Sequence, residues 1–511
     1  MNPPGQPVLV VGAGPTGLML ACELARRGLP PRVIDRAGGP DPLSRAVCIH
    51  ARSLELLDEL GLADQAVAEG VPIRTVDVRD RGHLRASFDF GLADSRYTFA
   101  LDLPQARTEA LLRGHLSELG VEVEWATELT GLRDRPDGAE VQLRRGDVSE
   151  QLVVGWVCGC DGVRSTVRKL SGITFDGDED PEGWALVEGS LDWDLSPNSW
   201  HIFMGRQGIL AACAVPGGGY RLAANMDPVA AEHAQPPSLE EFQRVLSDRG
   251  QPGARLKEIT WSSPFRIHER LASSFGAGRV LLAGDAAHAQ SPSTGQGMNT
   301  GLQDAWNLGW KLAMVADGRA PAKLLESYDT ERRHIARGSI SFTHALTRLG
   351  EMRGRGADLL RDVAEPIAGH LPALARYLID RVAEVHLRYR GSPIVLDRRR
   401  GHLPLRDGVH AGDRLPDIEL PASGQRLYRL LHGREHVLLT LGDASTLPEV
   451  ARSLEQVQLE PEDTAVVSSR IGIAAPAWIA VRPDRHIGYL GHGADGTGLE
   501  AYMKMWSSPV G

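Results

Sequence analysis

Glycines and single carboxylates recur in this chain at spacings that suit, respectively, the phosphates and the sugar hydroxyls of a nucleotide. Gly12-Ala13-Gly14-Pro15-Thr16-Gly17 fits the pattern G-x-G-x-x-G. Glycines there permit a tight turn and let a pyrophosphate approach the backbone, and a helix that follows turns its unpaired N–H groups toward the negative charge. Asp35 lies roughly 20 residues on, where a carboxylate can accept hydrogen bonds from ribose hydroxyls; Arg36 stands beside it. Gly12, Gly14, Thr16, Gly17, Asp35 and Arg36 therefore form one candidate dinucleotide site.

A second string, Gly278-Arg279-Val280-Leu281-Leu282-Ala283-Gly284-Asp285-Ala286-Ala287-His288, places Asp285 at the end of an apolar run. In open α/β sheets ligands bind at that carboxyl edge. It leads into Pro292-Ser293-Thr294-Gly295-Gln296-Gly297-Met298-Asn299, a glycine-rich loop opening into a helix, where backbone N–H groups suit an oxyanion or an electron-rich ring edge. A third string, Cys160-Asp161-Gly162-Val163-Arg164-Ser165-Thr166, again implies strand, turn and helix start, and Asp161 could cap that helix. Gly491-His492-Gly493-Ala494-Asp495-Gly496 also fits G-x-G-x-x-G, but too little sequence follows it for the rest of a βαβ unit, so it reads as a glycine-rich loop.

The elements that must position these residues are legible in outline. Residues 7–11 form a buried-type strand, Leu18–Arg27 an amphipathic helix ended by Gly28, and Arg32–Asp35 a second strand: one βαβ unit. Helical patterns cover Ser53–Leu60, Thr108–Leu119, Gly297–Val315 and nearly all of Leu324–Tyr389. Short strand-like runs and turn signals dominate residues 175–275, and from about 405 short strands and helices resume.

Composition narrows the class. The 511 residues carry 66 acidic against 56 basic side chains, a formal charge of −10, which argues against nucleic acid as the partner. No apolar run is long enough to span a membrane. Five cysteines at irregular spacing make neither a disulfide framework nor a zinc site, and a reduced, cytoplasmic chain is expected. His268, His288, His334 and His344 lack metal-ligand spacing, so no metal is expected.

Together, the three strings resemble those of the FAD-dependent aromatic hydroxylases, single-component flavoprotein monooxygenases typified by para-hydroxybenzoate hydroxylase. The resemblance covers about residues 7–390. It implies that the first glycine motif binds the ADP part of FAD, that Asp161 is associated with FAD and NAD(P)H, and that Asp285 contacts the ribityl chain. Arg45 matches an arginine near the flavin, and Gln105 a glutamine on the phosphate–ribose side. Pro292 and the backbone of Gly295, Gly297, Met298 and Asn299 are expected to shape the oxygen pocket, with Arg45 and Pro292 nearest the chemistry. The sequence departs from the family at Asp35, usually Glu, and at Ser293 and Thr294, usually Ala and Gly. Gly412-Asp413-Arg414-Leu415-Pro416-Asp417 and Val481-Arg482-Pro483-Asp484 resemble the thioredoxin-like tail of the phenol hydroxylase and aromatic polyketide hydroxylase branch. No cysteine follows Cys213, so this tail is without C-x-x-C redox chemistry; a packing or oligomer-contact role, with a homodimer left open, is expected instead.

The resemblance implies an α/β protein: a doubly wound FAD-binding domain (1–174 and 277–400), a β-rich substrate domain (175–276) and a C-terminal thioredoxin-like domain (401–511). Substrate contacts are expected from residues 175–275 and Phe88–Phe99. The implied reaction is insertion of one oxygen atom from O2 into an aromatic or polycyclic, polyketide-like substrate. It uses FAD with NADPH or NADH and runs through a flavin C4a-hydroperoxide. Epoxidation or Baeyer–Villiger oxidation by the same chemistry, and a non-catalytic flavin-fold binding protein, stand as alternatives. The Trp-x-Trp-x-x-Ile-Pro string of flavin halogenases is absent.

Overall fold

The computed structural model describes residues 6–511 apart from 42–45, 81–82, 206–207, 227–235, 352–371, 400–407, 443–450, 453, 494–495 and 508–511. Its centre is a six-stranded sheet in the order Gly276–Ala277, Val280–Leu282, Trp156–Gly159, Val8–Val11, Arg32–Ile34, Val123–Glu124. All neighbours are parallel except the first pair. Val8–Val11 and Trp156–Gly159 are buried along their whole length, as continuous apolar strands covered on both faces must be. One face is covered by the helices Pro15–Ala25 and Gln296–Ala316, which pack on each other.

The β-rich part is an eight-stranded sheet, ordered His288–Ala289, Arg255–Ala272, Phe175–Asp192, Gly219–Met226, Gly208–Val215, Ser199–Gly205, Thr75–Asp80, His83–Asp89. Three of these strands come from outside residues 175–276, so the sheet crosses both boundaries drawn from the sequence. The cause is long-range pairing: Ser199–Phe203 lies parallel to Thr75–Arg79. Nor is Leu324–Tyr389 helical throughout. The described helices are Glu326–Glu351 and Pro372–Val382, and residues 383–389 form turns and a bridge.

The tail builds four strands of a five-stranded mixed sheet around Ala477–Val481 and Ile487–His492, and the fifth, Leu396–Asp397, comes from before the boundary drawn at 401. The second G-x-G-x-x-G string begins at the end of that last strand, and its final glycine starts the helix Gly496–Trp506. Trp478, Tyr489, Tyr502 and Trp506 of the tail belong to the same apolar core as the six-stranded sheet. Among the described residues no helix is long and apolar enough to cross a membrane, and no cluster of His, Cys, Asp or Glu could hold a metal ion.

Candidate active site

The strand Val8–Val11 delivers Gly12 to the carboxyl edge of the parallel sheet. Gly12 has φ of 105°, and a Cβ there would lie 2.4 Å from the Cys160 carbonyl oxygen; a Cβ on Gly17 would lie 1.9 Å from the Gly12 oxygen. Strand, turn and helix thus approach as closely as backbones can. Gly14 differs, because nothing lies within 4 Å of where its Cβ would be. The helix Pro15–Ala25 starts there without a side-chain cap, leaving its first N–H groups for a ligand. Asp35 is held at the rim, accepting hydrogen bonds from the backbone N–H groups of Ala13 and Ala37, each at 2.8 Å. A cavity of about 270 Å³ opens here, lined by Gly12, Gly14, Asp35, Arg36, Asp161 and Thr166 among others. Uncapped N–H groups, open backbone and a rim carboxylate are what the ADP part of FAD requires, and the residues fit that group.

Val280–Leu282 carries Asp285 to the same edge, exposed on the turn Gly284–Ala286. Cβ atoms on Gly284 and Gly301 would meet Thr16 Oγ1 at 2.5 and 2.4 Å, so Thr16 joins the first string to the second. Asp161 is engaged as a cap: its carboxylate accepts hydrogen bonds from Thr166 N (2.6 Å), Val167 N (3.1 Å) and the Ser165 hydroxyl (2.5 Å). Arg168, buried and over the Phe175 ring, donates to the Ala286 carbonyl at 2.8 Å and so ties the third string to the second.

The loop before Gln296–Ala316 turns at Pro292–Thr294, with Pro292 exposed, and Gly295 leaves this helix start uncapped too. Gly297 has open space around its Cβ position, and Met298 is half-buried against the core. Asn299 is buried and serves the loop itself. Its Nδ2 donates to Cys48 O (2.9 Å) and Gly295 O (2.8 Å), and its Oδ1 accepts from His50 N (2.8 Å). Gln105 bridges Ala46 N, from which it accepts at 3.3 Å, and Glu109. Arg45 lies outside the described residues.

Three supports lie outside every motif read from the sequence. His50 Nε2–H donates to Thr294 O at 2.9 Å, and burial pushes this imidazole down to about 4, so it is neutral at physiological pH. Asp304, fully buried in the helix Gln296–Ala316, accepts from Gly284 N (3.0 Å), His288 Nε2 (2.6 Å) and Arg332 Nε (2.7 Å). Despite burial, Arg332 and His288 hold its carboxyl below the ordinary range. Glu384 has φ of 57°, strained for a residue with a side chain, and accepts from Thr300 Oγ1 (2.9 Å) and Gln303 Nε2 (2.7 Å); burial pushes its carboxyl up to about 8. The polar residues on the otherwise apolar string Leu302–Val315 were the one available hint.

Fold and site together define a flavin-binding oxidoreductase of the ring-hydroxylating kind. The family described as "FAD binding domain" matches residues 6–343, and "Aromatic-ring hydroxylase, C-terminal" matches residues 409–509. The chain is 35% identical to the 6-methylpretetramide 4-monooxygenase of Streptomyces rimosus, over 98% of this chain and 93% of that one. It is 35% identical to the pentachlorophenol 4-monooxygenase of Sphingobium chlorophenolicum, over 89% and 83%. Among solved structures, the OxyS anhydrotetracycline hydroxylase from Streptomyces rimosus aligns with a TM-score of 0.78 and 32% identity, covering 99% of both chains. The chain belongs to the FAD-dependent monooxygenases of the aromatic hydroxylase type.

Proposed function

We propose that this protein uses FAD and NAD(P)H to insert one oxygen atom from O2 into an aromatic, polyketide-like ring system. The observation that carries the reading is the joining of all three strings at one sheet edge, through Thr16 against Gly284 and Gly301 and through Arg168 on Ala286. Bound FAD would pass on electrons taken from NAD(P)H and offer the position at which O2 is activated. The chain's own residues bind and orient it. Gly12, Gly14, Gly17, Asp35 and Arg36 take the ADP part, Gln105 the phosphate–ribose side, and Asp285 the ribityl hydroxyls. Asp161 acts by fixing the helix start beside the cofactor. Pro292, Gly295, Gly297, Met298 and the loop anchored by Asn299 shape the oxygen pocket and exclude water, with Arg45 assigned to the flavin side.

NADPH or NADH docks transiently, since the described residues form one strand–glycine turn–helix unit of this kind and the second glycine string starts in the last strand of the tail sheet. Exposed arginines such as Arg164 attract its phosphates. We read the tail as thioredoxin-like in shape, without redox function. The absence of cysteine after Cys213 supports that reading, and the five unpaired cysteines are compatible with a cytoplasmic setting. The test is NADPH oxidation by purified holoprotein with anhydrotetracycline or pentachlorophenol, under ¹⁸O2 and at rising ionic strength. A labelled oxygen in the product and an apparent NADPH affinity that weakens with salt are expected. Substrate-independent silence with FAD bound would overturn the monooxygenase reading in favour of a flavin-fold binding protein. Tight NADPH binding that ignores salt would overturn transient docking.

A further inference from the structure

A second cavity, of about 390 Å³, opens where the tail meets the rest of the chain, and it shares no described residue with the one at Gly12 and Gly14. Its walls come from segments far apart in sequence. The helix Pro372–Val382 brings Arg376 and Asp380, the turns after it bring Arg388 and Arg390, and the tail brings Asp413 and, from the helix Pro461–Ile471, Arg470. Arg388 and Asp413 also pair as an isolated antiparallel bridge, which stitches the two sides together. The floor is firmly held. Arg414 is buried there and donates to the carbonyls of Val385 (3.3 Å) and Asp94 and to the Tyr428 hydroxyl (3.0 Å).

The charge of this cavity runs against that of the chain. Among the described residues five arginines and three aspartates line it, whereas the whole chain carries −10. Three of the arginines have carboxylate partners: Arg390 with Asp413 at 2.7 Å, Arg470 with Asp94 at 2.8 Å, and Arg414 with Glu55 at 3.5 Å. Arg376 and Arg388 do not. Their nearest carboxylate oxygens, on Asp380 and Asp413, lie 3.8 and 3.9 Å away, beyond hydrogen-bond distance, and both side chains are exposed. The neighbouring imidazoles register the surplus. Burial and the charges of Arg381 and Arg388 push His386 down to about 4, and burial with Arg390 and Arg399 pushes His410 down as well. Both rings are therefore neutral at physiological pH, and the positive charge belongs to the guanidinium groups.

We propose that this cavity binds a phosphorylated small molecule, with Arg376 and Arg388 as the groups that take its phosphate. A guanidinium presents a planar fork of N–H donors that matches two phosphate oxygens at once, and a phosphate has oxygens enough for both arginines. The volume falls within the range of about 300–1,000 Å³ typical of small-molecule sites, and Val385, Leu387, Val409 and Pro416 add apolar wall, so the ligand has an organic body as well as a phosphate. Such a phosphate arrives either on the adenosine end of NADPH or on a separate molecule. The site also adjoins the flavin-side loop. The Arg381 carbonyl accepts from Gln296 Nε2 at 2.7 Å, and Glu384, one residue before Val385, accepts from Thr300 and Gln303 of the same helix. The assignment holds whether or not the reaction is oxygen insertion.

The test is calorimetric titration of FAD-loaded protein, so that the Gly12 cavity is filled, with adenosine 2′,5′-bisphosphate, pyrophosphate and adenosine at constant ionic strength. The bisphosphate is expected to bind at least about 10-fold more tightly than adenosine. Arg376→Gln and Arg388→Gln remove side chains that make no hydrogen bond within the described structure, so FAD content and Tm should hold. Each is expected to weaken the bisphosphate about 5-fold, and the pair at least about 20-fold. Arg244→Gln, exposed on the helix Leu239–Arg249 outside the cavity, should change nothing. Flavin reduction then separates the two sources. A double variant that weakens NADPH but not NADH assigns the site to the NADPH phosphate; pyrophosphate binding lost with both reductions unchanged assigns it to a separate molecule. Wild type that binds neither phosphate probe at millimolar concentration, a double variant with wild-type affinity, or an equal loss in Arg244→Gln would overturn the site. These readouts are binding, so they stand apart from the oxygen-transfer assay.

Discussion

Asp304→Asn is the substitution that most directly probes how the site is held. The side chain is fully buried and keeps its volume in Asn, so packing is unchanged. What is lost is one negative charge opposite Arg332, which is itself fully buried and 2.7 Å away, together with an acceptor shared by Gly284 N and His288. Removing one partner of a buried pair leaves the other uncompensated, at a cost of about 3–5 kcal/mol. Arg332 keeps its bonds to Tyr389 and to the Thr300 carbonyl, which favours the lower end. At about 2–4 °C per kcal/mol for a 150–250-residue domain, the expected fall in Tm is roughly 6–12 °C. Because Gly284 precedes Asp285, FAD affinity should fall with it. Thermal unfolding followed by flavin fluorescence, with FAD titration of the apoprotein, measures both. The pH dependence follows from the direction of the shift. A carboxyl held below its ordinary value stabilises the fold above that value and loses this contribution as pH falls through the folded-state pKa. The difference between wild type and variant should therefore be constant from pH 5 to 8 and shrink only in strong acid. A variant within a degree of wild type, with unchanged FAD affinity, would refute the role of Asp304.

Asp285→Ala should weaken FAD binding about 10- to 100-fold, whereas Asp161→Ala, which removes a helix cap, should cost about 1 kcal/mol of stability with a smaller effect on FAD; equal FAD affinities by titration would reject the ranking. Glu384 is raised to about 8 and Asp102 to about 7, both by burial, so the folded state keeps protons that the unfolded state releases, and stability should fall as pH rises from about 5 to 8. Glu384→Gln should remove roughly half of that slope in denaturant titrations at each pH, and an unchanged slope would refute the assignment. Arg482→Met strips Glu331 and Asp484 of a buried guanidinium at 2.6 and 2.5 Å and should cost about 3–5 kcal/mol, read as a drop in Tm.

Local chemistry was legible in the sequence; long-range chemistry was not. Gly12, Gly14, Gly17 and Asp35 are recognisable because strand, turn and helix follow one another along the chain, and the structure places them at one edge as that order demands. The βαβ unit, the Val280–Leu282 strand and the helix after Gly295 were readable for the same reason. Asp304, Arg168 and His50 were hidden because each meets its partner far along the chain, as Arg168 does at Ala286 and His50 at Asn299. A single sequence reads such residues as surface polar groups or helix caps. The eight-stranded sheet was misjudged at its edges on the same ground: nothing local in Thr75–Asp89 announces pairing with Ser199–Phe203. The tail carries this furthest. Val481-Arg482-Pro483-Asp484 was readable as a motif, but not its purpose. Arg482 pairs with Glu331, which also binds Lys311. The Asp484 carbonyl accepts from Arg52, and Arg485 forms a two-point pair with Glu59. These charges lock the tail to the helices Ala51–Glu59, Gln296–Ala316 and Glu326–Glu351. One of them begins directly after the loop that ends at Gly295, and another follows directly from His50. The tail is therefore part of the framework that fixes the loop, even though none of its described residues lines the cavity at Gly12 and Gly14.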